Sequence, residues 1–218
     1  MALTGESSAQ MAMRDPDIRL MLRVRDADDA AAFAELVELY NHRMVTVLQH
    51  LVGSAEEAED LAQEAFLRVY RNRKRYRPRA KFSTWLYTIA NRLALNVIRS
   101  RQRKPVVALN LRDSGPLGPR PAEQLVQDRA RQPQQHLVHQ ELASQVRSAL
   151  DTLNERQRIA VVLNKFEDMN YNEIAEIMNL TTKAVKSLLS RARTNLRIAL
   201  KDYIFMDGQP PEMMDGEE

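Results

Sequence analysis

Hydrophobic positions in this chain recur at helical spacing. Phe33, Leu36, Val37, Tyr40, Met44, Val47, Leu48 and Leu51 fall at offsets 0, 3, 4, 7, 11, 14, 15 and 18. That is one stripe of a long amphipathic helix. Gly53 ends it, since glycine enters a left-handed cap without steric cost. Upstream, Asp15-Pro16 can open a shorter helix to about Arg25, with Ile18, Leu20, Met21, Leu22 and Val24 as its apolar surface. Ser54 begins the next helix, with Glu57 at the capping-box position. Glu56, Glu57, Glu59 and Asp60 crowd its start, and Arg68, Arg71, Arg73, Lys74 and Arg75 its end. Each charge sits at the end of the helix dipole that favours it. Leu61, Ala62, Ala65, Phe66 and Val69 form its buried stripe. Pro78 interrupts the chain. Ser83 or Thr84 can then cap a fourth helix to about Gln102, with Trp85, Leu86, Ile89, Ala90, Leu93 and Val97 facing inward.

The helical pattern lapses after Pro105. Pro116, Pro119, Pro121 and Pro133, with Gly115 and Gly118, preclude a continuous helix. So long a stretch without its own pattern separates domains. The pattern resumes near His139, with Leu142, Val146, Ala149, Leu150 and Leu153 on one face. Asn154 with Gln157 and Asn170 with Glu173 repeat the cap spacing. Asn179-Leu180 makes a tight turn, where Asn tolerates the left-handed conformation. Thr181 or Thr182 caps a last helix reaching about Tyr203. A short helix, a turn and a longer helix form a helix-turn-helix pattern. The expected fold is all-α, with two small helical domains at residues 16–104 and 140–204 joined by a flexible linker at 105–139. Residues 1–15 read as a disordered polar arm. Residues 205–218 read as a disordered acidic tail, with five acids and no base from Asp207 onward.

Composition narrows the function classes. Six glycines in 218 residues are few for an all-β or dinucleotide-binding fold. The chain has no cysteine, which excludes a disulfide framework and thiolate chemistry and fits a reducing cytoplasm. No leader-like apolar run opens the chain, and no run is long enough for membrane insertion. The four histidines (His42, His50, His136 and His139) lack metal-ligand spacing, and no phosphate-binding glycine loop or nucleophile elbow is present. Neither an enzyme nor a cofactor or metal site is expected.

Charge supplies the positive signal. The formal net charge is only +3, yet residues 65–104 hold thirteen Lys or Arg and no acid, interleaved with six aromatic residues. Cations attract phosphate, and aromatic faces can hold unstacked bases. On the fourth helix Tyr87, Asn91, Arg92, Asn96 and Arg99 fall off the apolar stripe. Lys81, Phe82, Ser83 and Thr84 stand at its entry, placed to meet an extruded base, while Trp85 is as well suited to the core. The cations from Arg71 to Lys81 are expected to meet backbone phosphate. The last helix is basic throughout, with Val185, Leu189, Ala192 and Leu196 inward. Its outer side suits a major groove. A duplex regulator acting alone is the alternative, and it would not need the face from Lys81 to Arg99.

These residues resemble a known family. The run Ala58 to Tyr70 (AEDLAQEAFLRVY) and the run Phe82 to Arg92 (FSTWLYTIANR) are similar to region 2 of extracytoplasmic-function (ECF) sigma factors of bacterial RNA polymerase. Leu150–Leu153, Tyr171–Ile177, Val185–Ser187 and Ser190–Arg193 resemble region 4. The resemblance implies a subunit that binds core polymerase and directs promoter-specific initiation. Asp60, Gln63, Glu64 and Arg68 would dock on the polymerase. Lys81, Phe82, Ser83, Thr84, Tyr87, Asn91, Arg92, Asn96 and Arg99 would read the melted minus-ten strand. Thr182, Lys183, Lys186, Ser187, Ser190, Arg191 and Arg193 would read the minus-thirty-five duplex. Promoter DNA, core polymerase and an anti-sigma factor are the partners the family suggests. Leu188 departs from the pattern, standing where the family commonly carries a polar DNA-side residue.

Overall fold

The computed structural model describes residues 15–103 and 144–201. The linker, the arm before Asp15 and the acidic tail, together with the expected starts and ends near His139 and Tyr203, lie outside them. Every regular element among the described residues is helical, in two bundles.

The first bundle holds α1 (Pro16–Ala27), α2 (Ala30–Val52), α3 (Ala55–Arg71), a 3₁₀ turn at Arg73–Arg75, and α4 (Phe82–Arg103). Proline stands at the start of α1, where its missing N–H costs nothing, and Asp15 caps it. Asp28 takes a left-handed φ of 51° between α1 and α2, and Asp29 caps α2 by accepting from the Ala32 N–H. Gly53 ends α2 at φ 82°, its N–H returning to the Gln49 carbonyl. Ser54 Oγ accepts from the Glu57 N–H to open α3. The expected stripe of α2 is the bundle's spine: Leu36, Met44 and Leu48 are fully enclosed, and α1, α3 and α4 all pack on this helix.

Helix α4 starts one residue earlier than Ser83. Asp15 supplies the reason. Its Oδ1 accepts from the Asp17 and Ile18 N–H groups, while its Oδ2 accepts from the Phe82 N–H at 3.3 Å. One carboxylate thus serves the first turns of two helices 67 residues apart. Ser83 and Thr84, expected as caps, are therefore inside the helix, and Lys81 accepts the first helical bond, from the Trp85 N–H.

The second bundle holds α5 (residues 144–151), α6 (Glu155–Phe166), α7 (Tyr171–Met178) and α8 (Thr182–Ala199). Both expected capping boxes form, Asn154 with Gln157 and Asn170 with Glu173. Asn179 takes the left-handed conformation, with φ and ψ of 52°, and Thr181 rather than Thr182 caps α8. Helices α6 and α7 pack on α8 through Ile159, Leu163, Ile174, Val185 and Leu189. The bundles also touch one another: α7 lies on α4, and α6 on α2.

Candidate nucleic-acid and protein interfaces

The entry to α4 is an aromatic cluster. The Phe82 ring meets Tyr40 at 5.5 Å, Trp85 at 6.2 Å and Tyr76 at 6.4 Å, and Tyr76 meets Trp85 at 4.8 Å. Phe82 and Tyr76 are fully buried, whereas Trp85 is half-buried at the cluster's edge. This corrects the placement of Phe82 beside an extruded base. Its backbone is held by Asp15, which turns the ring inward, so Phe82 rather than Trp85 pins the core. Tyr40 donates to the Asp17 carboxylate, which locks α2 to α1 next to this cluster.

Thr84, Tyr87 and Asn91 follow at offsets of three and four, on one face of α4. All three are buried, at 1%, 1% and 5% exposure. The sequence placed Tyr87 and Asn91 on an outer face, and they are off the first bundle's apolar stripe. Helix α7 of the second bundle lies against this helix. Asn91 Nδ2 donates to the Ile177 carbonyl at a long 3.5 Å. Lys81 pairs with Glu173 at 2.8 Å, and Arg43 on α2 pairs with Glu167 at 2.8 Å. The Glu167 side chain is 2% exposed and lies near Tyr87. Burial raises the Tyr87 hydroxyl pKa, and the adjacent carboxylate charge adds to that. Yet Thr84 Oγ1 and Asn91 Oδ1 are enclosed without a hydrogen-bond partner, and the Tyr87 hydroxyl has only the Glu167 carboxylate to face. Arg92, Asn96 and Arg99 continue the same helix in the open, with Lys81 exposed and Ser83 half-buried at its start. Asn96, Arg99, Ser100 and Arg103 line a shallow open cleft there.

The cations before α4 divide. Arg73 and Lys74 are both tied to Asp28, at 2.5 and 2.8 Å, and the Arg73 guanidinium stacks 4.1 Å from the Tyr70 ring centre. Hydrogen bonding from Lys74 and then Arg73 holds the Asp28 carboxyl below its ordinary pKa. These two residues brace the α1–α2 turn, so the expectation of free phosphate-binding cations from Arg71 to Lys81 does not hold for them. Arg71, Arg75, Arg77 and Arg79 are exposed.

On α3, Asp60, Gln63 and Arg68 are exposed, and Glu64 is half-buried in a 2.7 Å pair with Arg68. Leu67 stands among them at 48% exposure. Sequence reasoning passed over it. Its signal was a leucine seven residues after Asp60, on the polar rather than the apolar stripe.

On α8, Thr182, Lys183, Lys186, Ser187, Ser190, Arg191 and Arg193 are all exposed, while Val185, Leu189 and Ala192 are buried. The Thr182 hydroxyl donates to Asn172 Oδ1 at 3.0 Å, and Arg193 Nη2 to the Tyr171 hydroxyl at 3.3 Å. Both bonds fix α8 against α7. Leu188 is half-buried against the hydrophobic core, which accounts for an apolar residue at that position. Among the described residues, no group of three or more His, Cys, Asp or Glu could hold a metal ion. None of their helices is long and apolar enough to cross a membrane.

Comparison with known proteins matches both bundles. The family model for Sigma-70 region 2 covers residues 36–104, and that for Sigma-70 region 4 covers residues 143–196. The chain is 34% identical over 174 residues to the ECF RNA polymerase sigma factor SigW of Bacillus subtilis, covering 80% of this chain and 91% of the relative. It is 32% identical over 198 residues to the RNA polymerase sigma-H factor of Pseudomonas aeruginosa, covering 89% and 98%. Among solved structures, CnrH in complex with the cytosolic domain of CnrY matches with a TM-score of 0.64 at 21% identity, covering 86% of this chain and 99% of that one. The sigma factor RpoE of Bartonella quintana, bound to the anti-sigma factor NepR, matches with a TM-score of 0.57 at 22% identity, covering 78% and 96%.

Proposed function

We infer how this chain works from one premise: it belongs to the ECF sigma factors of RNA polymerase, and it directs transcription initiation. The division of labour among its surfaces is our proposal. Residues 16–104 act as the unit that docks on core polymerase and captures the minus-ten strand. Residues 140–204 act as the unit that reads the minus-thirty-five duplex.

Helix α3 meets the polymerase through Asp60, Gln63, Glu64 and Arg68, and Leu67 joins them as the apolar centre of that stripe. An exposed leucine ringed by polar side chains has the composition of a small interface core. Helix α8 lays Lys183, Lys186, Ser187, Ser190, Arg191 and Arg193 against a major groove, with Thr182 at its N-terminal entry. Lys81, Ser83, Thr84, Tyr87, Asn91, Arg92, Asn96 and Arg99 receive the unpaired strand. Phe82 acts on that strand only through the position it gives the helix start.

The observation that carries the strand-reading role is the row Thr84 Oγ1, Tyr87 hydroxyl and Asn91 Oδ1. Thr84 Oγ1 and Asn91 Oδ1 have no partner in the protein, the Tyr87 hydroxyl faces only the Glu167 carboxylate, and the row adjoins the exposed Arg92, Asn96 and Arg99. A face that must only pack against protein would carry apolar groups there. Unstacked bases offer both the hydrogen-bonding edges and the rings such a row can use. No step needs a catalytic residue of this chain, and it acts where the polymerase acts, in the cytoplasm. The Bartonella quintana relative is bound to an anti-sigma factor, and a partner of that class is proposed for this chain.

The test separates the two surfaces. Arg92→Ala with Asn96→Ala changes only exposed side chains. It should cut permanganate-detected promoter opening about tenfold or more, on the scale of ~1–3 kcal/mol per base contact, while co-elution with core polymerase is unchanged. Leu67→Asp should do the reverse, abolishing co-elution. Equal loss of both activities in both variants would refute the division.

A further inference from the structure

We propose that the acidic end of this chain, from Asp207 to Glu218, seats on the outer side of α8 and competes there with duplex phosphate. The competition rests on the duplex-reading role given to α8 above; the contact itself does not. Helix α8 carries Lys183, Lys186, Arg191, Arg193 and Arg197 and no acid. All five are exposed, and among the described residues none of them forms an ion pair. Several cations of the first bundle are answered within the protein: Arg68 by Glu64, Arg73 and Lys74 by Asp28, and Arg101 by Glu57. The row on α8 is instead an uncompensated basic face, which attracts any anion held nearby.

Charge and reach choose the occupant. From Asp207 onward the chain has five acids and no base, against the five cations of α8. These 12 residues, extended, span about 40 Å. The 18 residues of α8 make a helix about 27 Å long. The segment can therefore run the whole length of the face. Ile198 stands 70% exposed on the last turn of α8, and the apolar run Tyr203 to Met206 follows it closely in sequence. That run has Ile198 to cover, and Asp207-Gly208 is a turn dipeptide that sends the acids back along the helix. Asp215, Glu217 and Glu218 then meet the N-terminal end of α8, where the helix dipole adds to their attraction.

The expected strength sets the role. Exposed ion pairs are weak singly and are screened by salt. Yet a segment of the same chain competes at about millimolar effective concentration. Sequence-independent duplex binding is itself weak, with a Kd of about 10⁻⁴ to 10⁻⁶ M, so the tail lowers it severalfold. A specific complex is tighter by about a thousandfold or more and displaces the tail. The acidic end thus discriminates against nonspecific duplex rather than blocking the promoter.

The test keeps the chain at full length. Asp207→Asn, Glu212→Gln, Asp215→Asn, Glu217→Gln and Glu218→Gln together remove the charge and little else. Fluorescence anisotropy with a duplex of random sequence should show this variant binding about fivefold tighter at about 0.05 M salt and equally at about 0.5 M. Its log–log salt slope should be the steeper of the two. Backbone amide shifts of the free chain should differ between variant and unsubstituted protein along α8, from Lys183 to Arg197. Equal duplex affinity and slope would overturn the competition. Shift differences confined to α4 between Arg92 and Arg103, or confined to the tail itself, would overturn α8 as the seat. An intact shift pattern with duplex binding that ignores Lys186→Ala and Arg191→Ala would strike the duplex-reading role of α8 and uphold the tail contact.

Discussion

Asp15 is the residue whose replacement tests the first bundle most sharply. Its Oδ1 caps α1 at 2.9 and 3.4 Å, and its Oδ2 receives the Phe82 N–H at 3.3 Å. Asp15→Ala removes an N-cap, which costs about 1 kcal/mol. It also strands the Phe82 N–H beside a fully buried ring, a loss of about 1–3 kcal/mol. The sum is roughly 2–4 kcal/mol. With a urea slope of about 2 kcal/mol/M, the midpoint should fall by about 1–2 M. Asp15→Asn keeps the cap and one acceptor, so it should lose about half as much. The assay is built in, because the only tryptophan, Trp85, lies 6.2 Å from Phe82 and its fluorescence reports this bundle. An Asp15→Ala midpoint within about 0.5 kcal/mol of the unsubstituted chain would refute the shared-cap argument.

Three further outcomes are expected. Gly53→Ala should cost about 1–2 kcal/mol in the same denaturation assay although its Cβ would meet nothing within 4 Å, because φ is +82°; a neutral result would remove backbone conformation as the cause. Burial, and then the nearby Arg147 charge, lower the His50 pKa, so the folded chain favours the neutral ring. The stability this contributes is present above the ordinary value of about 6.5 and is lost as pH falls below it. His50→Phe should therefore lose less stability than the unsubstituted chain between pH 7.5 and 5.5, and equal slopes would contradict this. Lys186→Ala and Arg191→Ala should each flatten the salt dependence of duplex binding by about 0.9 in log–log slope if that side chain meets a phosphate, measured by fluorescence anisotropy across a salt series.

Local signals in the sequence were strong where one helix decides its own fate. The α2 stripe, the Gly53 stop, the Ser54, Asn154 and Asn170 caps and the Asn179 turn are all encoded within four residues of where they act. What escaped was non-local. Asp15 reaches Phe82 across 67 residues, so the true start of α4 could not be seen at Ser83 or Thr84. Phe82 looked like an aromatic open to a base beside basic residues, and the distant Tyr40 and Tyr76 rings help make it core. Arg73 and Lys74 resemble their exposed neighbours in sequence, and only Asp28, far earlier in the chain, claims both. The contact of the buried Asn91 with the Ile177 carbonyl on another bundle has no local sign at all. Leu67 is legible in principle, as an apolar residue on a polar stripe, but an isolated leucine among charges carries no periodic signal.

Purified core polymerase and this chain, incubated with sheared genomic DNA and followed by run-off transcription and sequencing of the transcript starts, test the central claim most directly. The account predicts discrete starts that share two upstream elements, absent with core alone. Lys186→Ala with Arg191→Ala should weaken dependence on the upstream duplex element, and Arg92→Ala with Asn96→Ala should weaken opening at the start-proximal element. Core that binds the chain yet initiates no specific transcript, or that initiates identically without it, would contradict the account.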